Sequence, residues 1–405
     1  MDMHQCISEM TGEKMLRSIV VLIGLAFFML SVSSTNAQET VPNCRVSPMR
    51  EMELPRSAGQ LIYLHDGGGF AFENLDSTNP VFQANVSQYA YKTRISPNGM
   101  WIASLELNVE NDAFAITRNV MGEITYSTEL DSNRIFNFVW LGDDQYLTIA
   151  GYPQFRFYAH SIIIHLTGEI QFVYPEFLAE SQGADATIPL FEDTIPGGGQ
   201  NFSRDGRYIL AGRDIYDMQM GKFLEPIETG GGYWASASDQ LIFLDPSTDQ
   251  IAGEPIFVEA YDITTDTVRR LGMILVTEGE VVALFNNGGW SPDERFVALN
   301  YWFPDMMYSH TAKILDLENG ELIDACIRGL EEPLHHFDFA WSRDSRYLAL
   351  YGALAGETDR ETGSVYIYDT LENHIYEVYE GFADIVGWAV HPEQPTSLSA
   401  NVIQK

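Results

Sequence analysis

Basic residues are scarce in this chain. Its 405 residues carry 23 lysines and arginines against 57 aspartates and glutamates, a formal charge of −34 at neutral pH. A polyanion of this size does not bind nucleic acid through backbone phosphates, and anionic membranes repel it. Its charge keeps a surface soluble, and suits cations or basic partners. Cysteine is scarcer still, with Cys6, Cys44 and Cys326 alone. That is too few for a disulfide scaffold or a thiolate metal site. The apolar run at 19–30 is short for a membrane span. There is no G-x-S-x-G elbow, no H-E-x-x-H and no EF-hand loop. The stretch Ser203-Arg204-Asp205-Gly206 lacks the residue between Asp and Gly that a sialidase-type Asp box requires, and reads as a turn. No cofactor is expected.

The amino-terminal residues 1–37 read as a secretory signal peptide. Lys14 and Arg17 precede the apolar run, and Thr35 and Ala37 occupy the −3 and −1 positions of a cleavage site. An uncleaved anchor is the alternative; with cleavage, no stable membrane insertion and a secreted, periplasmic or extracellular location are expected. Residues 38–57 form an arm. In an oxidising compartment its Cys44 can pair with Cys326, clamping the arm to the rest of the chain, or both can stay as thiols.

What the chain has in abundance is a repeated turn. GWSPDERFVAL at 289–299 recurs as ISPNGMWIAS at 95–104, FSRDGRYILA at 202–211 and WSRDSRYLAL at 341–350. Degenerate copies stand at 140–149 and 234–243. Pro292 presets φ for a turn, Ser291 and Asp293 can bond the nearby backbone, and Arg295 to Leu299 reads as a strand. A second signature follows each copy: an apolar strand, an Asp or near equivalent, then a Gly or Asn turn. Residues 313–321 and 365–373 are the clearest cases. Together the signatures give four strands per repeat, and Ser96 to Ser342 spans five repeats of about 49 residues each.

The pattern W-S-P-D-G-R-[YF]-[IVL]-A followed by I-Y-[DL]-x-x-x-G-[EK] resembles the WD-like repeat of TolB-type β-propellers, over most of the chain after residue 58. Glu294 and Ser345 stand where that repeat has Gly, and the copies near 141–144 and 236–239 lack Ser-Pro-Asp. The resemblance implies an all-β propeller that recognises protein or peptide on one face of the ring. Seven four-stranded blades are expected over 58–392: 58–84 with 384–392, then 87–130, 133–176, 199–228, 231–277, 281–328 and 336–380. Residues 393–405 form a tail. In the first of these the carboxy-terminal strand joins the amino-terminal ones and closes the ring, removing exposed edges. The irregular 176–235 region leaves six or eight blades open.

Candidate functional residues follow from that layout. The long loops emerge opposite the Ser-Pro-Asp turns, and they hold Tyr152, Phe155, Phe157, Tyr301, Trp302, Phe303, Met306 and Met307. Exposed aromatics and methionines suit partner contacts; folded down, they plug the mouth of the ring instead. The tryptophans at 140, 234, 290, 341 and 388 recur once per repeat and are expected between blades. His336, Asp338 and His391 sit on inner strands, but zinc needs three or four converging ligands, and no metal site is expected. The preferred reading is a non-catalytic binding module. A carbohydrate-active enzyme or lectin on the same face, using Asp305, Glu106 or Asp112, is the rival, and a cell-surface protein without a discrete ligand is a third.

Overall fold

A serine at the head of each turn ties the two strands it joins. In a computed structural model of the chain, the Ser342 N–H donates to the Tyr347 carbonyl at 2.7 Å, and the Tyr347 N–H returns to Ser342 Oγ at 2.9 Å. Ser96 with Trp101, Ser203 with Tyr208 and Ser291 with Phe296 make the same reciprocal pair. The hydroxyl also donates to the acceptor two residues on, Asn98, Asp293 or Asp344.

The model describes residues 46–48, 54–65, 69–73, 84–85, 92–96, 98–107, 113–130, 135–141, 145–150, 160–165, 170–173, 203, 207–211, 214–217, 219–220, 222–224, 232–235, 238–245, 250–284, 289–302, 310–329, 339–354 and 363–391. All lie within the unit Cys44–Lys405. The leader falls outside them, as do Cys44 and the tail.

In three of these turns an arginine reaches the acid that ends the strand paired with the one after the turn. Arg346 grips Asp369, Arg295 grips Asp316 and Arg207 grips Asp217, each through Nε and Nη2. The acids are almost wholly buried, at 1–4% side-chain exposure, while the arginines stay 29–38% exposed. Each acid also accepts amide bonds from the turn after it: Asp369 from Leu371 and Glu372, Asp316 from Glu318, Asp217 from Gln219 and Met220. One carboxylate thereby fixes two turns at one end of a sheet through charge-assisted hydrogen bonds.

The strands assemble as successive antiparallel sheets. Lys92–Ile95, Trp101–Leu107, Ala113–Asn119 and Ile124–Leu130 form one, and Ile135–Leu141, Gln145–Ala150, His160–His165 and Ile170–Val173 the next. Tyr208–Ala211, Asp214–Asp217 and Lys222–Phe223 make a three-stranded sheet. Gly232–Trp234, Gln240–Leu244, Pro255–Asp262 and Thr267–Leu275 follow. Val281–Leu284, Phe296–Trp302, Thr311–Asp316 and Glu321–Arg328 then join Phe339–Trp341, Tyr347–Leu354, Ser364–Asp369 and His374–Glu380 in a larger sheet, through Ile327↔Leu354 and Arg328↔Ala353. Among the described residues the only helix is one 3-10 turn, Arg56–Ala58.

Both faces of a central strand are covered. On Phe296–Trp302, Phe296 and Ala298 pack with Trp341, Leu348 and Leu350 of the following strands, while Val297, Leu299 and Tyr301 pack with Ile242, Val258 and Ala260 of the preceding ones. Hence strands such as Ser364–Asp369 are buried at every position, and read as apolar runs rather than as alternation. The five repeat tryptophans are all buried. Tyr208 stacks on Trp234, Phe296 on Trp341 and Tyr347 on Trp388, at 5.7–6.5 Å between centroids.

The two ends of the described chain interleave. Ala383–Ala389 pairs antiparallel with Gln60–His65, in the register Gln60↔Ala389 to His65↔Ala383, and Gly69–Glu73 and Ala84–Asn85 complete that sheet. Upstream, Val46–Pro48 lies parallel on the outer strand His374–Glu380, Val46 opposite Ile375.

Candidate functional site

The strand Phe296–Trp302 runs away from its serine turn, so its last residues stand at the end of the sheet opposite the Arg–Asp locks. Thr311–Asp316 returns from there, and Val281 pairs with Trp302. Glu280, Asn300, Tyr301, Trp302 and His310 are thereby gathered at one end.

Successive residues on a strand point to opposite faces, and this separates Tyr301 from Trp302. Tyr301 is 1% exposed and belongs to the core. The expectation that it sits on an open loop is therefore corrected: pairing with Val282 turns its ring inward. Its hydroxyl is buried with no hydrogen-bond partner. Burial, helped by the Glu280 carboxylate, pushes its pKa well above the usual tyrosine value. Lys313 Nζ lies 3.9 Å from the ring centroid and 3.0 Å from Glu280 Oε1. The other Glu280 oxygen accepts from the Thr277 N–H and hydroxyl. That arrangement is a satisfied ion pair over an aromatic face.

Trp302 is half-buried and stacks on His310 at 5.8 Å between ring centroids. His310 Nδ1 is paired with the Asn300 amide, 3.0 Å from Nδ2 and 3.2 Å from Oδ1. Burial lowers the His310 pKa. The Gly329 N–H donates to the His310 carbonyl at 2.7 Å, and a Cβ on Gly329 would come within 3.2 Å of His310 Cβ. The pair offers a flat aromatic surface, which suits stacking.

Of the other loop aromatics, Tyr152, Phe155, Phe157, Phe303, Met306 and Met307 lie outside the described residues, as do Asp112 and Asp305. Glu106 is buried in an ion pair. It is 7% exposed, accepts from Ser104 Oγ, and meets Arg118 through both carboxylate oxygens. Removing one partner of such a buried pair leaves an uncompensated charge, so the contact is a structural one. Of the metal candidates, His336 and Asp338 lie outside the described residues and His391 is buried. Among the described residues no three His, Cys, Asp or Glu side chains could hold a metal ion. Cys326, with φ of 59°, is disulfide-bonded. Among the described residues no helix is long and apolar enough to cross a membrane.

Sequence reasoning passed over Glu280, His310 and Lys313. The signal for Lys313 was a lone cation inside the apolar run AKIL; nothing in the sequence marked its acid partner.

No family model matches the chain, and no curated protein matches it. Solved structures do. An uncharacterized protein from Listeria monocytogenes EGD-e is 11% identical, with a TM-score of 0.50 over 83% of this chain and 97% of that one. TolB from Acinetobacter baumannii is 12% identical, with a TM-score of 0.43 over 83% and 67%. The β-propeller domain of the Trilobed protease from Pyrococcus furiosus is 10% identical, with a TM-score of 0.42 over 72% and 83%. The chain is all-β with β-propeller neighbours, and TolB is among the proteins it resembles. At these identities the likeness is one of fold.

Proposed function

We propose that the chain is a secreted, non-catalytic binding module that recognises protein or peptide on the loop face where Trp302 stands. Its frame is a ring of seven blades, each built from one described sheet or half of the larger one, with Ala383–Ala389 closing the first blade. Cys44 is the partner of Cys326 in this reading. Val46, two residues beyond Cys44, packs against the cluster that contains Cys326, so the bridge staples the arm to the blade.

The observation that carries the binding reading is the stacking of Trp302 on His310 at the end of the sheet, beside the paired charges of Lys313 and Glu280. Aromatic surface at a loop end favours partner contact. The rival enzymatic reading asks for a pair of carboxylates in a cleft, and of its candidates Glu106 is paired with Arg118.

A photo-crosslinking amino acid placed at 302, and in a second variant at 371, tests this in the native extracellular fraction. Position 371 is in an exposed turn at the opposite end. A discrete protein adduct at 302 and none at 371 is expected. Equal adducts at both positions, or glycan cleavage lost in Glu106→Gln, would overturn the reading.

A further inference from the structure

The strand Thr267–Leu275 is nine residues long and ends its sheet. Among the described residues nothing pairs with its outer side. Elsewhere the fold shows how such an edge is covered, since Val46–Pro48 lies along His374–Glu380 as an added strand.

It carries more exposed apolar surface than the other outer strands with described side chains. Ile124–Leu130 exposes one large apolar residue there, Ile124 at 59%, and Glu321–Arg328 exposes Leu322 at 37%. Thr267–Leu275 exposes three, Val268, Met273 and Leu275, at 50%, 58% and 55%. Ile251 adds to the same end, where the Gly253 N–H donates to the Val276 carbonyl. Between the apolar residues stand Arg269 and Arg270, the only two consecutive basic residues in a chain of net charge −34. A bulge sets the halves apart: Val258 pairs with Gly272 and Glu259 with Arg270, leaving Leu271 unpaired.

Nearby charges only partly satisfy the arginines. Arg270 covers the Phe257 ring at 3.3 Å and lies 3.5 Å from Glu259. Arg269 donates to Gln240 Oε1 at 2.8 Å and lies 3.8 Å from Glu294. Their side chains remain 54% and 52% exposed. Charged residues on an outer strand normally deter pairing. Here they are consecutive, of one sign, and opposite to the sign of the whole molecule, so they select an acidic partner and repel a basic one.

We propose that Thr267–Leu275 is a second docking surface, on which an extended partner segment, acidic opposite Arg269 and Arg270 and apolar opposite Met273 and Leu275, adds as a further strand. Main-chain bonds supply affinity and alternate side chains supply choice.

The test uses the full chain and two synthetic decapeptides, each with a Val-Thr alternation, one headed by two glutamates and the other by two lysines. The acidic peptide is expected to bind at least about tenfold tighter than the basic one, and to slow amide exchange within 267–275. Arg269→Gln with Arg270→Gln should remove the preference, and Arg269→Glu with Arg270→Glu should invert it, with a lowered unfolding midpoint because a glutamate then stands opposite Glu259. Absence of binding, equal binding of both peptides, or protection outside 267–275 overturns the proposal. So does dimerisation that protects the same strand, which would make a second copy the occupant.

Discussion

The indole Nε1 of Trp388 donates to the carbonyl oxygen of Ala340 at 3.0 Å. Trp341 makes the same bond to Gly289, and Trp140 to Arg94. Each acceptor stands two residues before its turn serine: Ala340 before Ser342, Gly289 before Ser291, Arg94 before Ser96. Trp388 therefore fills the repeat's tryptophan position, although the strand beside it, Gln60–His65, comes from the other end of the described chain. Trp388→Ala should lower the unfolding free energy by about 3–5 kcal/mol, the range for large aromatic truncations in cores. Deleting everything after Gly381 should abolish cooperative unfolding in denaturant. A truncated chain that melts like the intact one would show that the last strand is dispensable.

The Arg–Asp locks predict an acid limb. The hydrogen bond from Arg207 holds the Asp217 carboxyl below its usual 3.8, against the pull of burial and with help from the Met220 and Gln219 amides. At Asp316 burial is the larger single influence and acts upward, but Arg295 and the Glu318 amide together leave the carboxyl lowered. A carboxyl with a depressed folded pKa adds stability above its unfolded value and loses it as pH falls through the folded one. The contribution of both acids should thus be full at neutral pH and fade below about pH 4. Asp217→Asn with Asp316→Asn should lower stability at pH 7 and flatten the decline below pH 4. Salt should blunt the effect, because both arginines are over a third exposed. An acid limb of unchanged slope in the double variant would assign it to other groups.

The turn chemistry was legible before any coordinates because it is local. Ser291, Asp293 and Arg295 act within a few residues of one another, and the same spacing recurs at 342–346. The Arg–Asp lock was half legible: the acid ending the third strand stood out as a signature, while its partner lies 21 residues earlier in one case and 23 in another. The site was the least legible part. Tyr301 and Trp302 are adjacent, and composition could not say which faced the core; strand pairing decided that. Glu280 and Lys313 are 33 residues apart and meet only after two strands are in register.

That adjacent pair should respond in opposite ways to truncation. Tyr301→Ala removes a fully buried ring and should cost about 3–5 kcal/mol. Trp302→Ala removes a half-buried ring at the sheet's end, and should cost about 1 kcal/mol or less while weakening any partner bound there. Tyr301→Phe should leave stability unchanged or raised, since a buried hydroxyl without a partner is better absent. Denaturant midpoints of the three variants check this, and a large loss in Tyr301→Phe would mean the hydroxyl is satisfied in solution.

Glu294 occupies a turn position that the repeat elsewhere gives to glycine, as at Gly99 with φ of 73°. Its own φ is 62°, in the left-handed region, where a side chain costs about 1–2 kcal/mol relative to the ordinary helical conformation. Ser345 is alike at 63°, but its hydroxyl accepts from the Asp293 N–H of the neighbouring turn, so replacing it removes a tie as well as a strain. Glu294 has only the 3.8 Å approach to half-exposed Arg269 to lose, and surface pairs of that kind contribute little. Glu294→Gly should therefore stabilise the protein by about 0.5–1 kcal/mol, after allowance for the freer unfolded chain that glycine brings. Ser345→Gly should gain less or lose. Equal destabilisation by both substitutions, measured by chemical unfolding, would show that unfolded-chain entropy outweighs the relief of backbone strain at these turns.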